Sequence, residues 1–319
     1  LKERFRSEAP RKWEEYRRFA ERLQGTVTTK FSVTMPPKDK RHGISLPPLT
    51  RTEIKQNAES WLLIDQPLND AEASPGEALA ANPRYAFQLK RRGPSEAWFL
   101  EKLDLTQKDG SSFARRPIRR LVYERVAAHF KLYDAPLAWL VEQPEFRVTG
   151  VKAVNRDAGE FVEIQFEYPH EMDRSSRDAS AVQRGLMLLD MHHYWCVAKF
   201  DVDLQWSPTM KGDKETKHEY NLDASGFPIL TRSHTINGRR GSYSGAISEA
   251  VDEYELHAAS TLPPDKEFSL SAFGLPEPEG IRWDSGSRAY LWILGAAVVC
   301  MIGALALWKI RRRHSPATA

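Results

Sequence analysis

The sequence predicts a mainly β protein with added helices. One large antiparallel sheet, curved to bury a face, has an amphipathic helix in front of it, a second helix inserted midway and one C-terminal transmembrane helix. Three observations carry that reading. About ten or eleven stretches alternate apolar and polar residues with period two and are joined mostly by short turn sequences, which favours strands paired in chain order. Two stretches keep helical spacing instead. Residues 289–308, AYLWILGAAVVCMIGALALW, carry no charge and are followed by Lys309, Arg311, Arg312 and Arg313.

Taken in order, residues 10–23 place Trp13, Tyr16, Ala20 and Leu23 on one helical face with Phe19 beside them, and Gly25 follows as a stop. Residues 26–35 then alternate Val27, Thr29, Phe31, Val33 and Met35 with Thr28, Lys30, Ser32 and Thr34, the pattern of a half-buried strand. Pro36, Pro37, Pro47 and Pro48 bracket a basic loop. Residues 52–64, 84–90 and 96–105 read as strands again, and 69–82, rich in Ala, Pro and acid, as a long loop. Residues 117–141 open with Pro117 and hold Ile118, Leu121, Val122, Val126 and Phe130 on one side of a helix that Pro136 breaks or kinks. Strands follow at 146–154 and 160–168, forming a hairpin across 155–159. Further strands are expected at 185–190, 194–206, 214–222, 227–236, 246–257 and 267–273, with 223–226 and Asn237-Gly238 supplying turns. No repeat recurs at solenoid or propeller periods.

The uncharged segment sets the expected topology. Its length at the helical rise reaches about 30 Å, the thickness of a bilayer core. Tyr290 and Trp292 at one end and Trp308 at the other stand at interfacial positions, and the basic cluster after the span puts the tail, 309–319, in the cytoplasm. Residues 1–274 then form an extracytoplasmic domain and 275–288 a Pro, Gly and Ser-rich stalk that extends at most about 50 Å. The alternative is a tail-anchored protein facing the cytosol. Ala296, Cys300 and Ala304 share one face of the span and offer a small-residue surface for a weak homodimer. The chain opens on Leu1 and a charged stretch, neither a start methionine nor a signal peptide, so an export signal is expected upstream.

Charge and motifs exclude more than they identify. The formal charge of +3 comes from the tail: four of the 46 basic residues lie there, leaving 42 against 43 acidic residues upstream. That balance is no nucleic-acid footprint. With Cys300 inside the span and Cys196 far outside it, neither an intrachain disulfide nor a metal-type cysteine spacing is available. His170-Glu171 and His218-Glu219 begin like a zinc-protease motif, but Arg174 and Leu222 stand where its second histidine belongs. GSYSG at 241–245 imitates a nucleophile elbow with Tyr243 in the nucleophile's place. His192, His193 and Cys196 near Asp190 are metal-ligand types. Consecutive strand residues point to opposite faces, however, so at most part of that set converges. Glu163 and Glu167 read as the solvated side of a strand. No phosphate-cradling loop occurs, no cofactor or metal is expected, and the chain reads as non-enzymatic, an enzyme with dispersed active-site groups being a further alternative.

The apolar phases offer the better lead. Phe31, Trp61, Phe87, Trp98, Phe166, Phe200 and Trp206 fall on them, and such rings either line a greasy cavity on a curved sheet or fill a core against the two helices. Arg115, Arg116, Arg119, Arg120 and Arg125 form either a solvated helix face or a surface for anionic headgroups.

The order helix, strand opening LQGTVT (23–28), sheet and inserted helix resembles the LolA-like family of bacterial periplasmic proteins, which includes lipoprotein carriers, receptors and sensors. GLMLLD (185–190) leading into YWCV (194–197), and the closing FSLSAFGLPEP (268–278), resemble the same group and its membrane-anchored relatives. The resemblance covers about residues 8–274. It implies a half-barrel with an apolar cavity for acyl chains or an amphipathic peptide, in a protein of the bacterial inner membrane; the tether departs from the freely shuttling carriers. PEP at 276–278, a hydrophobic span and an arginine cluster also resemble PEP-CTERM sorting tails, although Arg282, Asp284 and Arg288 intervene before the span. The expectation is therefore a membrane-anchored binding domain for a lipid, lipoprotein or other amphipathic ligand. The alternative is a structural or surface-sorted protein with a filled core.

Overall fold

Helix α1 (Lys2–Ala20) begins well before the predicted start, because Phe5 and Ala9 continue the buried stripe of Trp13, Tyr16 and Ala20. Pro10, where the helix expected from sequence begins, lies inside the helix. The hydrogen bond it removes costs up to about 3 kcal/mol, which burial of that stripe outweighs. Leu23 belongs to the first strand and not to the helix. The computed structural model describes residues 1–34, 49–68, 75–106, 114–133, 135–156, 159–169, 181–207, 209–238 and 246–281.

Six strands follow as an antiparallel meander: β1 (Leu23–Thr34), β2 (Thr50–Gln56), β3 (Trp61–Pro67), β4 (Gly76–Ala81), β5 (Tyr85–Arg91) and β6 (Phe99–Leu105). Strand β4 corrects the loop predicted over 69–82. Alanine is a poor strand former on its own, but here both faces of the strand are covered, Ala78 and Ala80 on one side and Ala81 on the other, so small residues fit where larger ones would not. The predicted 117–141 helix is likewise divided. It becomes α2 (Arg115–Val126), a 3-10 turn at Ala128–Phe130, a two-stranded ladder of β7 (Lys131–Leu132) and β8 (Ala135–Pro136), and α3 (Leu137–Glu142), with Pro136 capping α3.

A second antiparallel meander completes the sheet: β9 (Arg147–Arg156), β10 (Gly159–Glu167), β11 (Val182–Asp190), β12 (Cys196–Gln205), β13 (Lys211–Leu222), β14 (Pro228–Asn237) and β15 (Ile247–Ala258). The sheet has 13 strands in the order β6-β5-β4-β3-β2-β1-β15-β14-β13-β12-β11-β10-β9, antiparallel throughout and not closed. First and last strands meet in its middle, from Leu23↔Ala258 to Thr34↔Ile247. Gly25 is required at this joint: its φ is +141°, and a Cβ there would sit 2.0 Å from the Glu255 carbonyl oxygen.

One face of the sheet carries the helices. Ile118, Val122 and Val126 of α2 pack over Ile54, Leu63, Ala81 and Ala86, while α1 packs with Trp195, Phe227 and the Ala128–Phe130 turn. The opposite face of β3–β5 is closed by the segment after β15. Residues 267–273, predicted as a strand, form 3-10 turns at Asp265–Phe268 and Leu270–Phe273. Their alternating apolar side chains bury Phe268 and Leu270, while the Leu270 N–H donates to the Tyr85 hydroxyl at 3.0 Å and Asn82 donates to the Phe268 carbonyl at 2.9 Å.

Leu1–Pro276 form one unit and Glu277–Ala319 a second. Among the described residues no helix is long and apolar enough to cross a membrane. The predicted span at 289–308 and its basic tail lie outside the described residues, as do His170-Glu171 and the 241–245 glycine loop.

Candidate ligand pocket on the helix-bearing face

The seven aromatic residues proposed from sequence do not gather around one cavity. Trp61 is buried beneath α2, with the Arg115 and Arg119 guanidinium groups each 5.6 Å from its ring. Phe87 faces the other way, packing on Tyr85 and edge-on against Phe273 at 5.8 Å. Trp98 precedes β6 and lies outside any strand; it meets the same Phe273 at 5.7 Å. Phe166 stacks on Phe146 at 5.3 Å. Trp206 follows β12 and donates to the Tyr133 hydroxyl at 3.2 Å. Phe31 and Phe200 share a cross-strand row that runs through Ala250, Thr235 and Thr216. Four strand spacings of about 4.8 Å hold those two rings apart.

That row borders a pocket of about 290 Å3. Its floor is the helix-facing phase of β13–β15: Thr216 opposite Thr235, His218 opposite Ser233, and Ser233 opposite Asp252. Phe200, Leu121 and Tyr254 supply apolar wall, and Arg125, Lys131 and Lys214 supply positive charge against Glu124 and Asp252. Most of these charges have partners. Glu124 accepts from Arg120 at 2.6 Å and from Lys131 at 3.2 Å, Asp252 accepts from Thr29 at 2.6 Å, and Lys214 lies 5.1 Å from the Tyr133 ring centre. Burial works against ionised Glu124, yet Lys131 and Arg120 hold its carboxyl below the usual range. The Thr216 and Thr235 hydroxyls are 3.0 Å apart.

His218 is the exception. It is 7% exposed, and both of its ring nitrogens are buried without a hydrogen-bond partner. Burial, then His129, Lys214 and Lys131, push its pKa well below the ordinary histidine value, so the ring is neutral and offers one donor and one acceptor. An unused pair of buried polar atoms beside a cavity costs about 1–3 kcal/mol per group unless something fills the role. Larger grooves of about 710 and 480 Å3 lie on the opposite face, lined by charged side chains such as Arg51 and Lys55 in one and Arg184 and Asp203 in the other.

The Asp190 cluster has a structural explanation. Its carboxylate accepts the backbone N–H groups of His192 and His193 at 3.0 and 3.1 Å, contacts His193 Nδ1 at 2.8 Å and accepts from the Tyr220 hydroxyl. These bonds fix the turn in which Tyr194 and Trp195 take φ of 61° and 55°. Burial pushes the Cys196 thiol upward, which suppresses thiolate chemistry. Among the described residues no three potential metal-ligating side chains gather. The arginine face of α2 is partly engaged, Arg119 with Glu21 at 2.9 Å and Arg115 with the Glu59 carbonyl at 3.0 Å.

Sequence reasoning missed the pocket because it followed apolar phases. A signal was present: 214–219 and 232–235 are polar in both phases, whereas β12 alternates. In comparisons with known proteins, no family model matches this chain and no curated protein matches it.

Proposed function

We propose that this chain is a membrane-anchored, extracytoplasmic binding domain for an amphipathic ligand, which it hands over or senses without catalysis, and that its sheet curves as the half-barrel of the LolA-like family does. The observation that carries the reading is the pocket on the helix-bearing face, where Phe200, Leu121 and Tyr254 adjoin Thr216, Ser233 and the unpartnered His218. Apolar wall with a few convergent polar groups is the composition of a small-molecule site. A volume of about 290 Å3 suits a short amphiphile or one end of a longer one. The uncharged segment at 289–308 with its following basic residues supports the anchor and its orientation.

A second reading, a structural protein with a filled core, is favoured by the close packing of Tyr16 on Phe130 and of Phe19 on Phe227, both at 4.1 Å. Native mass spectrometry of the full chain released from detergent, with extraction of whatever copurifies, separates the two. The binding reading expects a bound amphiphile that is lost when Thr235→Phe fills the pocket floor. A wild-type chain free of any adduct favours the filled core.

A further inference from the structure

Resting on the reading of this pocket as an amphiphile site, we infer that it selects an uncharged hydroxyl headgroup, that of an alcohol or an acylglycerol, bonded to the His218 ring beside Ser233. His218 lines the pocket from β13 at 7% exposure, and among the described residues neither of its ring nitrogens has a hydrogen-bond partner. Ser233, also buried, stands directly opposite it on β14. Burial keeps the ring neutral, so one nitrogen carries a proton and the other accepts a bond. A hydroxyl both donates and accepts, and it therefore meets the ring whichever nitrogen is protonated. A carboxylate or an ether oxygen only accepts, and an ammonium only donates.

The charges around this floor favour a neutral headgroup. Of the five charged side chains in the lining, four have partners: Glu124 accepts from Arg120 and Lys131, Asp252 accepts from Thr29, and Lys214 lies over the Tyr133 ring. The fifth, Arg125, belongs to α2 and not to the strand floor that carries His218. A charged headgroup at that floor would give up its water among pairs that are already closed, a desolvation cost that a hydroxyl does not carry. Leu121, 42% exposed, marks the mouth of the pocket and buried Phe200 its inner wall. The hydroxyl then lies at the buried end, and the apolar chain runs out past Leu121.

The test is titration calorimetry of the full chain in nanodiscs, with empty nanodiscs as the blank, using hexanol, monohexanoylglycerol, methyl pentyl ether and hexanoate as probes. Binding of a hydroxyl probe at least about ten-fold tighter than the ether and hexanoate, and insensitive to salt, is the expected result; the tighter of the two hydroxyl probes identifies alcohol or acylglycerol as the source. His218→Phe lowers hexanol affinity roughly ten-fold, to that of the ether, and leaves ether binding unchanged. Ether or hexanoate binding as tightly as both hydroxyl probes overturns the hydroxyl subsite and leaves the amphiphile reading standing. Absence of binding by all four probes removes the amphiphile reading itself and the inference with it. A thermal melt establishes that the variant is folded, and an undiminished preference for hexanol over the ether in folded His218→Phe also overturns the inference. Should His218→Phe fail to fold, the comparison of the four probes on the native chain decides.

Discussion

Tyr16 of α1 stacks on Phe130 of the Ala128–Phe130 turn, with ring centres 4.1 Å apart and planes at 30°. This contact joins the first helix to the segment that borders the pocket, and Phe130 is 3% exposed. Phe130→Ala is expected to cost about 3–5 kcal/mol, read as a shift of the denaturant midpoint at constant m-value. A loss below about 1 kcal/mol would mean that the helix and turn are not packed as a unit.

The joint between first and last strands makes a second prediction. At Gly25 a positive φ and an approach of 2.0 Å to the Glu255 carbonyl act together, whereas at Gly159, with φ +129°, a Cβ meets nothing within 4 Å. Gly159→Ala therefore bears only backbone strain, about 1–3 kcal/mol, and Gly25→Ala is expected to cost clearly more because β1 and β15 must separate. Equal melting temperatures for the two variants would contradict the observed register.

Acid should loosen the core. His129 is fully buried, and burial pushes its pKa down to about 3, partly offset by the Pro228 carbonyl; His218 is depressed as well. A folded-state pKa below the unfolded value of about 6.5 means that the stabilisation is complete above that pH. It is lost as pH falls below 6.5, at up to roughly 1.4 kcal/mol per pH unit for each histidine, down to the folded pKa. His129→Phe should flatten the stability profile between pH 6.5 and 4. An unchanged slope in that variant would show that His129 does not contribute to it.

The outer seal uses the Tyr85 hydroxyl beside the Asn82 bond to the Phe268 carbonyl. Tyr85→Phe strands the buried Leu270 N–H, at a cost of about 1–3 kcal/mol. Limited proteolysis is expected to cut the variant within residues 265–275 while β1–β5 stay protected, and an unaltered digestion pattern would count against the seal.

Much of the sheet was legible because one-sided burial writes itself into the chain as alternation, as in β12, where Phe200, Val202 and Leu204 are buried and their neighbours less so. Legibility failed where that condition failed. Strand β4 is covered on both faces and made of alanines, and 267–273 alternates while wound into 3-10 turns because it lies across a sheet without joining one. Phe87 has the right period but the opposite face, since period two cannot say which side the helices occupy. The pocket depends on polar residues at inward positions, Thr216, His218, Ser233 and Asp252, whose convergence needs the register of three neighbouring strands. No short-range pattern contains that information.

The most direct test of the pocket follows individual histidine rings. With histidine-selective isotope labelling of the full chain in nanodiscs, hexanol is titrated while ring resonances are recorded. His218 lies in the pocket wall, and His257 lines the groove on the opposite face. Binding at the pocket predicts a saturable shift of the His218 ring signals with His257 unmoved. A His218 signal that stays fixed through the titration, or that moves only together with His257, contradicts it.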